Sequence, residues 1–444
     1  MQEASSPQLK PPAMPLSEFL PVLFQALDKR GVRFCVLRNY DGFPDSNVGR
    51  DIDFLINPSQ LPLALRALRS IHNIRIVGYS KRHYVANVFV EGVSQAKGIR
   101  ALELDFDLSL TWKALPYLSA DTVLAAALPC MAGDSTFYIP SPVHEAIISL
   151  FASLLIGGWL KEKYFSQVQR TFSANKSETI ASLLPQFGKR TAMRLVDSVI
   201  DGDRRKIVDC VRPLRASLIL RNLMQKPLRS TIAILRHYMG EITFRFSPRT
   251  LETVCFLDPC DCGKSRIIES VMPMMRTLAL AVELRPIQID SSERTEASIQ
   301  RTRLVLWLAK EWISRFAEKK NLTLRICTSR NYNLLLDNDS DSNGMTKWLT
   351  LFVQKLLPHH DLWILLDPAV DALNSESRQV VGTIEHLEAY RTFVRTRKSY
   401  VILDANKPVA VLAEDAYAAI VDALARRTVK KLNKRFQNYI FEND

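Results

Sequence analysis

Five short hydrophobic runs, separated by segments of helical periodicity, constrain the fold of residues 250–427 more strongly than any other feature of this sequence. Apolar runs of this length are typical of strands buried on both faces, and helical crossovers between them favour parallel pairing. We therefore predict a doubly wound parallel sheet. The predicted strands are Thr253 to Leu257, Ala279 to Leu284, Leu322 to Cys327, Asp361 to Leu366 and Tyr400 to Leu403, and the longest helical patterns between them are Thr295 to Lys319 and Arg378 to Thr396.

The preceding part of the chain has a different pattern and predicts two further segments. Residues 15–140 mix helical and strand patterns, which indicates an α+β unit with a small mixed sheet. Residues 141–245 contain few Pro and Gly and have helical spacing of their apolar residues, so we predict a basic helical segment. Residues 1–14 are predicted to be a disordered leader, and residues 428–444 a basic helix or a frayed basic tail. The α+β strands are predicted at Arg33 to Leu37, Asp51 to Ile56, Ile74 to Val77, Tyr84 to Val90 and Ala101 to Leu108.

The positive charge of the chain is concentrated in one region. The formal net charge is +13, and residues 161–240 contain 16 Lys and Arg against 6 Asp and Glu. A surface of this kind attracts phosphates, nucleic acid or anionic lipid. We predict an anionic polymer or a membrane surface as the partner of residues 161–240, and the alternative is a solvated helical face without a partner.

The cysteines and the apolar runs bear on the cellular setting. The seven cysteines are scattered and form no C-x-x-C pair, so neither a disulfide framework nor a zinc finger is indicated. The most apolar run, Ala146 to Leu160, is shorter than the roughly 18–20 residues needed to span a bilayer, and it predicts a buried helix. A membrane-facing helix is the alternative for this run. Together these features predict a cytoplasmic protein.

Two aspartates in a predicted strand are the strongest chemical signal. Asp51 and Asp53 are two residues apart, so both side chains point to one face of the strand. A third carboxylate from a neighbouring strand would complete a set of oxygen ligands of the kind that Mg²⁺ prefers. Glu103, Asp105 and Asp107 alternate with apolar residues in another strand and share one face. The pattern therefore predicts a magnesium site and leaves three candidates for its third ligand.

A second candidate site follows the first strand of the predicted parallel sheet. Gly263, Lys264 and Ser265 stand between this strand and a helix, as in the phosphate-binding pattern G-x-x-x-x-G-K-[ST]. In that pattern the backbone amides and the lysine hold phosphates, and the hydroxyl holds Mg²⁺. Asp258 occupies the first glycine position of the pattern. Because a carboxylate repels phosphate, we predict that ATP binds this loop weakly or not at all.

Stretches around the aspartates resemble a known family over roughly residues 30–170. They are similar to a group of bacterial uncharacterised nucleotidyltransferases, which have the DNA polymerase β-like fold. The stretches that carry the resemblance are Leu37 to Pro44 (LRNYDGFP), Gly49 to Ile56 (GRDIDFLI), Leu104 to Phe106 (LDF), Leu110 to Ala114, Pro142 to Ala146 and Lys161 to Tyr164.

This resemblance implies a reaction and assigns residues to it. Asp51, Asp53 and Asp105 are implied to be the catalytic residues and the Mg²⁺ ligands, and it is the resemblance that selects Asp105 from the three candidates. Arg38 and Gly49 are implied to contact the nucleotide. The implied substrate is an NTP, whose nucleotidyl group is moved to a hydroxyl or phosphate acceptor.

Residues 250–427 resemble thymidylate kinase-like P-loop proteins. This resemblance implies that Gly263, Lys264 and Ser265 bind a nucleotide. The family has Asp where this chain has Ser329, and Asp258 is a second departure, so a degenerate kinase-like domain is expected. The stretches that carry the resemblance are Glu283 to Pro286, Ser329 to Tyr332, Asp361 to Pro368 and Val401 to Ala405.

Three functional hypotheses follow from these patterns. The first is a Mg²⁺-dependent nucleotidyltransferase with a degenerate kinase-like domain, and the joint architecture resembles proteins of surface-polysaccharide and related biosynthesis. The second is a phosphotransferase that acts through the C-terminal P-loop. The third is a non-catalytic module that binds nucleotides or nucleic acid through the basic helical segment. The three aspartates favour the first hypothesis, and Asp258 and Ser329 weigh against the second.

Overall fold

The computed structural model describes residues 13–47, 51–94, 100–246, 250–259, 263–278, 281–287, 323–329, 360–368 and 379–436. The chain divides into two compact units. The first unit holds the described residues of 13–245 and of 432–436, and the second unit holds those of 246–431. The predicted α+β and helical segments therefore both belong to the first unit.

The first unit is built on a five-stranded mixed sheet with the strand order β2-β3-β7-β5-β4. Strands β3 and β7 are parallel, and the other neighbouring pairs are antiparallel. Three two-stranded pairs, β1 with β6, β8 with β9 and β10 with β11, complete its strands among the described residues. The strands are β1 Met14–Pro15, β2 Phe34–Val36, β3 Asp51–Ile56, β4 Arg75–Arg82, β5 Val85–Glu91, β6 Val93–Ser94, β7 Ala101–Asp107, β8 Thr111–Trp112, β9 Leu115–Pro116, β10 Leu128–Ala132 and β11 Ser135–Ile139.

The helices of the first unit cover the sheet and then continue as a helical segment. Helices α4 to α9 share one buried apolar cluster with residues of β2, β3 and the β8–β9 pair. The predicted buried helix Ala146 to Leu160 corresponds to α4, which ends at Gly157. The helices are α1 Leu16–Lys29, α2 Leu61–Arg69, α3 Ala120–Ala125, α4 Pro142–Gly157, α5 Glu162–Ala174, α6 Lys176–Phe187, α7 Lys189–Ile200, α8 Arg204–Asp209, α9 Val211–Gln225 and α10 Pro227–Phe246.

The two faces of the mixed sheet have different neighbours because side chains alternate along each strand. Phe54 of β3 faces α1, and its ring lies 6.5 Å from that of Phe24. Leu55, on the opposite face, is buried in the cluster formed by α4 to α9. Asp51 and Asp53 are four and two residues before Leu55, so they share its face. The aspartates therefore lie on the side of the sheet that is covered by the helical segment.

The second unit contains a five-stranded sheet in which every neighbouring pair is parallel. Its strand order is β13-β14-β12-β15-β16, so the order reverses around β12. The sheet confirms the predicted parallel arrangement of five strands. Its elements are β12 Thr250–Leu257, α11 Lys264–Arg276, β13 Ala281–Ile287, β14 Thr323–Ser329, β15 Leu362–Asp367, α12 Gln379–Arg395, β16 Tyr400–Asp404 and α13 Val409–Arg435.

Several boundaries differ from those predicted from the sequence. Strand β4 extends to Arg82, five residues beyond its predicted end, because its polar residues pair with β5 although they have no apolar pattern. Met14 pairs with Val93 and does not belong to a disordered leader. The last helix continues to Arg435, so it crosses the predicted start of the basic tail at 428. The predicted helix Thr295 to Lys319 lies outside the described residues.

Among the described residues, the structure contains no helix that is both long enough and apolar enough to cross a membrane.

Candidate metal and nucleotide site

Three carboxylates converge where the two parallel strands of the mixed sheet meet. Asp51 and Asp53 lie on β3, and Asp105 lies on β7 directly opposite Asp53. One carboxylate oxygen from each of these three residues lies within 4.8 Å of the other two. The side chains that were predicted to converge are therefore brought together by the register of one parallel strand pair.

Burial and mutual repulsion disfavour negative charge around these carboxylates. Burial, together with the neighbouring Asp53 and Asp51, raises the pKa of Asp105 to about 6, although the hydrogen bond from Asn87 opposes this shift. Burial and Asp105 raise the pKa of Glu103 to about 7, and burial and Asp53 raise that of Asp107 to about 8. A cation bound among these groups would relieve both effects, because it supplies the compensating charge that water no longer supplies.

Asn87 holds one carboxylate of the cluster in place. It lies on β5 opposite Asp105, and its Nδ2 donates to Asp105 Oδ1 at 2.6 Å. The same amide lies 3.4 Å from Glu103 Oε1. Asn87 was not identified from the sequence, although a polar residue in the otherwise apolar strand VANVFV was a signal that could have found it. Amides in this position orient metal-binding carboxylates in many proteins.

Arg38 binds Asp53 through both of its carboxylate oxygens. The guanidinium Nε donates to Oδ2 at 2.5 Å, and Nη2 donates to Oδ1 at 3.0 Å. This contact raises the pKa of Arg38 above its ordinary value. The Asp53 side chain is only 6% exposed, so the pair is largely removed from water. Arg38, implied by resemblance to contact the nucleotide, is thus placed beside the aspartate cluster and is bound to one of its members.

The two residues after Arg38 connect the site to the helical segment. Asn39 Oδ1 accepts hydrogen bonds from Lys163 Nζ and from the Tyr164 hydroxyl, both at 3.1 Å. Asn39 has a φ of +61°, a conformation that asparagine adopts more readily than most residues. The Tyr40 hydroxyl donates to Glu145 Oε2 at 2.8 Å. The segment 38–40 therefore contacts β3, α5 and α4 through three consecutive side chains.

The donor set fits a hard divalent cation such as Mg²⁺. Magnesium binds oxygen at about 2.1 Å, so two oxygens on one ion lie up to about 4.2 Å apart. The distances between the three carboxylate oxygens are at most 4.8 Å, which is close to this limit. Small side-chain rotations would bring all three oxygens within reach of one ion. No sulfur or imidazole donor belongs to this cluster, which distinguishes it from a zinc site.

The second candidate site lies in the other unit and differs in character. Gly263 has a φ of +105° and precedes the first turn of α11, where Lys264 is buried and Ser265 is exposed. Asp258 Oδ2 accepts a hydrogen bond from the backbone N–H of Lys264 at 3.1 Å. A carboxylate of the chain therefore already uses one of the helix N–H groups that would bind phosphate.

Two further sequence predictions concern these regions. Gly49, implied to contact the nucleotide, lies outside the described residues, as do residues 260–262 of the loop before Gly263. The position of Asp367 at the end of a buried strand predicts a structural role for it rather than a catalytic one. Arg391 of α12 binds both its oxygens, with distances of 2.9 and 2.8 Å, which is consistent with that interpretation.

Comparison with known proteins finds no family model that matches the chain and no curated protein that matches it. The two family resemblances therefore remain predictions.

Proposed function

We propose that the first unit is a Mg²⁺-dependent nucleotidyltransferase, which moves a nucleotidyl group from an NTP to a hydroxyl or phosphate acceptor. The observation that carries this proposal is the convergence of Asp51, Asp53 and Asp105 on two neighbouring parallel strands. Convergent carboxylates that offer only oxygen donors are what a magnesium site for a triphosphate requires.

The carboxylates and the nearby cations have complementary roles in this proposal. Asp51, Asp53 and Asp105 would hold Mg²⁺, which would supply positive charge next to the phosphates and the acceptor oxygen. Asn87 keeps Asp105 oriented toward the ion. Arg38 orients Asp53 by donating to both of its carboxylate oxygens, and its guanidinium fork is matched to phosphate as well as to carboxylate.

Helix α5 contributes further positive charge near the same position. Lys163 reaches Asn39, the residue after Arg38, so its ammonium group lies next to the loop that precedes β3. Arg38 and Lys163 would both attract a triphosphate that the aspartate-held metal binds. Binding energy from these cations would offset the repulsion between the nucleotide and the acidic cluster.

The two alternative functions have less support. A phosphotransferase would use Gly263, Lys264 and Ser265, but Asp258 already occupies the N–H of Lys264. A non-catalytic binding module would leave the convergent, partly desolvated carboxylates without a role.

The test follows the α- and γ-phosphates of the nucleotide separately. The full chain is incubated with each NTP, Mg²⁺ and a cell extract as the source of acceptor, and labelled products are separated. We expect label from the α position to be transferred by the wild type and to fall to background in Asp51→Asn and Asp53→Asn. Asp134→Asn, which changes an exposed aspartate outside the site, is the matched control and should behave as the wild type.

Metal binding provides an independent measurement on the same variants. Mn²⁺ binding, followed by electron paramagnetic resonance, should be lost in Asp51→Asn and retained in Asp134→Asn. Asn87→Ala should weaken it by about 10–100-fold, because an unoriented ligand binds less well. Transfer of γ label alone, abolished by Lys264→Ala and not by Asp51→Asn, would instead establish the phosphotransferase.

A further inference from the structure

Three polar residues of helix α10 define the side that faces the rest of the first unit. Ser230 is buried, and its hydroxyl donates to the backbone oxygen of Asn222 at 2.8 Å. Seven residues later, the ring of His237 lies 4.2 Å from that of His83. Glu241 binds Arg82 at 2.8 Å. These contacts determine which side of α10 faces the body of the unit.

The opposite side of α10 carries a row of exposed apolar residues. The row consists of Leu228, Ile232, Leu235, Met239 and Ile242, whose exposed fractions range from 47% to 79%. They are spaced by four, three, four and three residues, so they lie on one face of the helix. Tyr238, which is 46% exposed, borders this row. An amphipathic helix normally buries such a face, so the arrangement indicates a surface that is covered by something else.

The charges around this apolar row have one sign. Residues 211–240 contain six Lys and Arg and no acidic residue. Arg229 and Arg236, both exposed, each follow a leucine of the row and lie along its edge. Glu241 is the acidic residue of α10, and it is bound to Arg82 and His83 on the inner side. The surface therefore combines aliphatic side chains with a positive border.

We propose that α10 is an interfacial helix that docks the first unit on an anionic lipid surface. Helices of this kind insert their apolar face at the boundary between headgroups and acyl chains, and basic residues at the edge bind anionic headgroups. The inference is independent of the proposed nucleotidyl transfer, because it uses none of the aspartates.

Charge and side-chain chemistry favour lipid over two other occupants. In a dimer formed through two α10 helices, Arg229 and Arg236 of one copy would lie beside the same residues of the other copy. No acidic residue on the outer side of α10 would pair with them, so the opposite charges that support helix pairing would be missing. The phosphates of a nucleic acid would bind the arginines, but Leu228, Ile232 and Leu235 have no aromatic ring on which bases could stack. Of these three occupants, a lipid surface is the one that uses both the aliphatic row and its positive border.

The test is cosedimentation of the full chain with vesicles of defined composition. We expect binding to vesicles that contain phosphatidylglycerol at about 50 mM salt, strong weakening at about 500 mM salt, and little binding to phosphatidylcholine alone. Leu235→Glu combined with Met239→Glu should weaken binding at least about tenfold, because it places charge in the apolar boundary. Arg229→Gln combined with Arg236→Gln should weaken binding to anionic vesicles by about tenfold or more.

The matched control changes an equally exposed apolar pair on the β10–β11 hairpin. Leu128→Glu combined with Met131→Glu should bind vesicles as the wild type does. The proposal is overturned if the wild type does not bind anionic vesicles at low salt, or if the Leu235 and Met239 changes leave binding unaltered. It is also overturned if those changes lower the melting temperature by several degrees or convert a dimer to a monomer in light scattering, since the row would then be covered by protein. Binding to RNA, without binding to vesicles, would overturn it as well.

Discussion

The carboxylate of Asp258 lies 3.1 Å from the backbone nitrogen of Lys264 and accepts its N–H at the beginning of α11. The first N–H groups of a helix have no partner within the helix, and they attract anions. In nucleotide-binding loops of this pattern that anion is a phosphate group. Here the chain supplies a carboxylate at that position, so the predicted repulsion of phosphate is accompanied by direct competition for a hydrogen-bond donor.

The first prediction concerns ATP binding by this loop. Asp258→Gly should strengthen Mg-ATP binding by up to about a hundredfold, because two like charges about 5 Å apart cost roughly 3 kcal/mol at an effective dielectric of 20. Asp258→Asn removes the charge but keeps an oxygen that can accept the backbone N–H of Lys264. Its increase in Mg-ATP affinity should therefore be smaller than that of Asp258→Gly. Calorimetry would measure both, with Asp51→Asn present to silence the other site. Tight wild-type binding that is lost in Lys264→Ala would contradict this prediction.

The second prediction is a trade-off between stability and metal binding at the aspartate cluster. Asp51→Asn removes one of three neighbouring charges, so it should stabilise the metal-free protein by about 1 kcal/mol. The same change should abolish the rise in melting temperature that Mg²⁺ causes in the wild type. Thermal unfolding with and without Mg²⁺ measures both effects, and Asp134→Asn should reproduce the wild-type curves. A stabilising effect of Mg²⁺ that survives in Asp51→Asn would exclude this residue as a ligand.

The third prediction concerns the ion pair between Arg38 and Asp53. Arg38→Ala leaves a largely buried carboxylate without its cation and should lower the free energy of unfolding by about 3 kcal/mol. The loss should be much smaller when Asp53→Asn is already present, because no charge then remains to be compensated. Urea unfolding of the two single variants and the double variant gives the coupling energy. Additive effects of the two changes would mean that the pair is not formed in solution.

The fourth prediction is the pH dependence of the contact between α10 and the β4–β5 hairpin. Hydrogen bonds from Arg82 and His83 lower the pKa of Glu241 to about 2. A carboxyl group whose pKa is lowered by folding stabilises the protein above its unfolded pKa of about 4.5, and this stabilisation is lost as the pH falls toward 2. Because the pair is partly exposed to solvent, its contribution should be about 1 kcal/mol.

The comparison for this pH effect is Glu241→Gln. Its unfolding free energy should lie below that of the wild type at pH about 6 and approach it at pH about 3. Urea titrations at several pH values would measure the difference. A difference that does not change between these pH values would show that Glu241 acts through packing and not through its charge.

The local features of both sites were predictable because they depend on short-range periodicity. Alternation along Asp51–Ile56 places Asp51 and Asp53 on one face, and the same alternation places Glu103, Asp105 and Asp107 together on β7. Hydrophobic runs likewise predicted five buried strands in the second unit, and Gly263 was predicted to stand between a strand and a helix. Each of these statements concerns residues within about ten positions of one another.

The amino-acid sequence by itself therefore determined where the apolar strands of the two five-stranded sheets lie and which acidic residues share a strand face. Only the tertiary structure decided that Asp105 lies opposite Asp53, that Arg38 binds Asp53, and that α10 has its apolar row outside. The physical reason is that side-chain pairing, strand register and helix orientation depend on partners between 15 and 159 residues away, whose positions no local periodicity specifies. The sequence pattern does not distinguish the acidic residues that share one strand face. Their environments differ only after a neighbouring strand and a packed helix lie next to some of them and not to others.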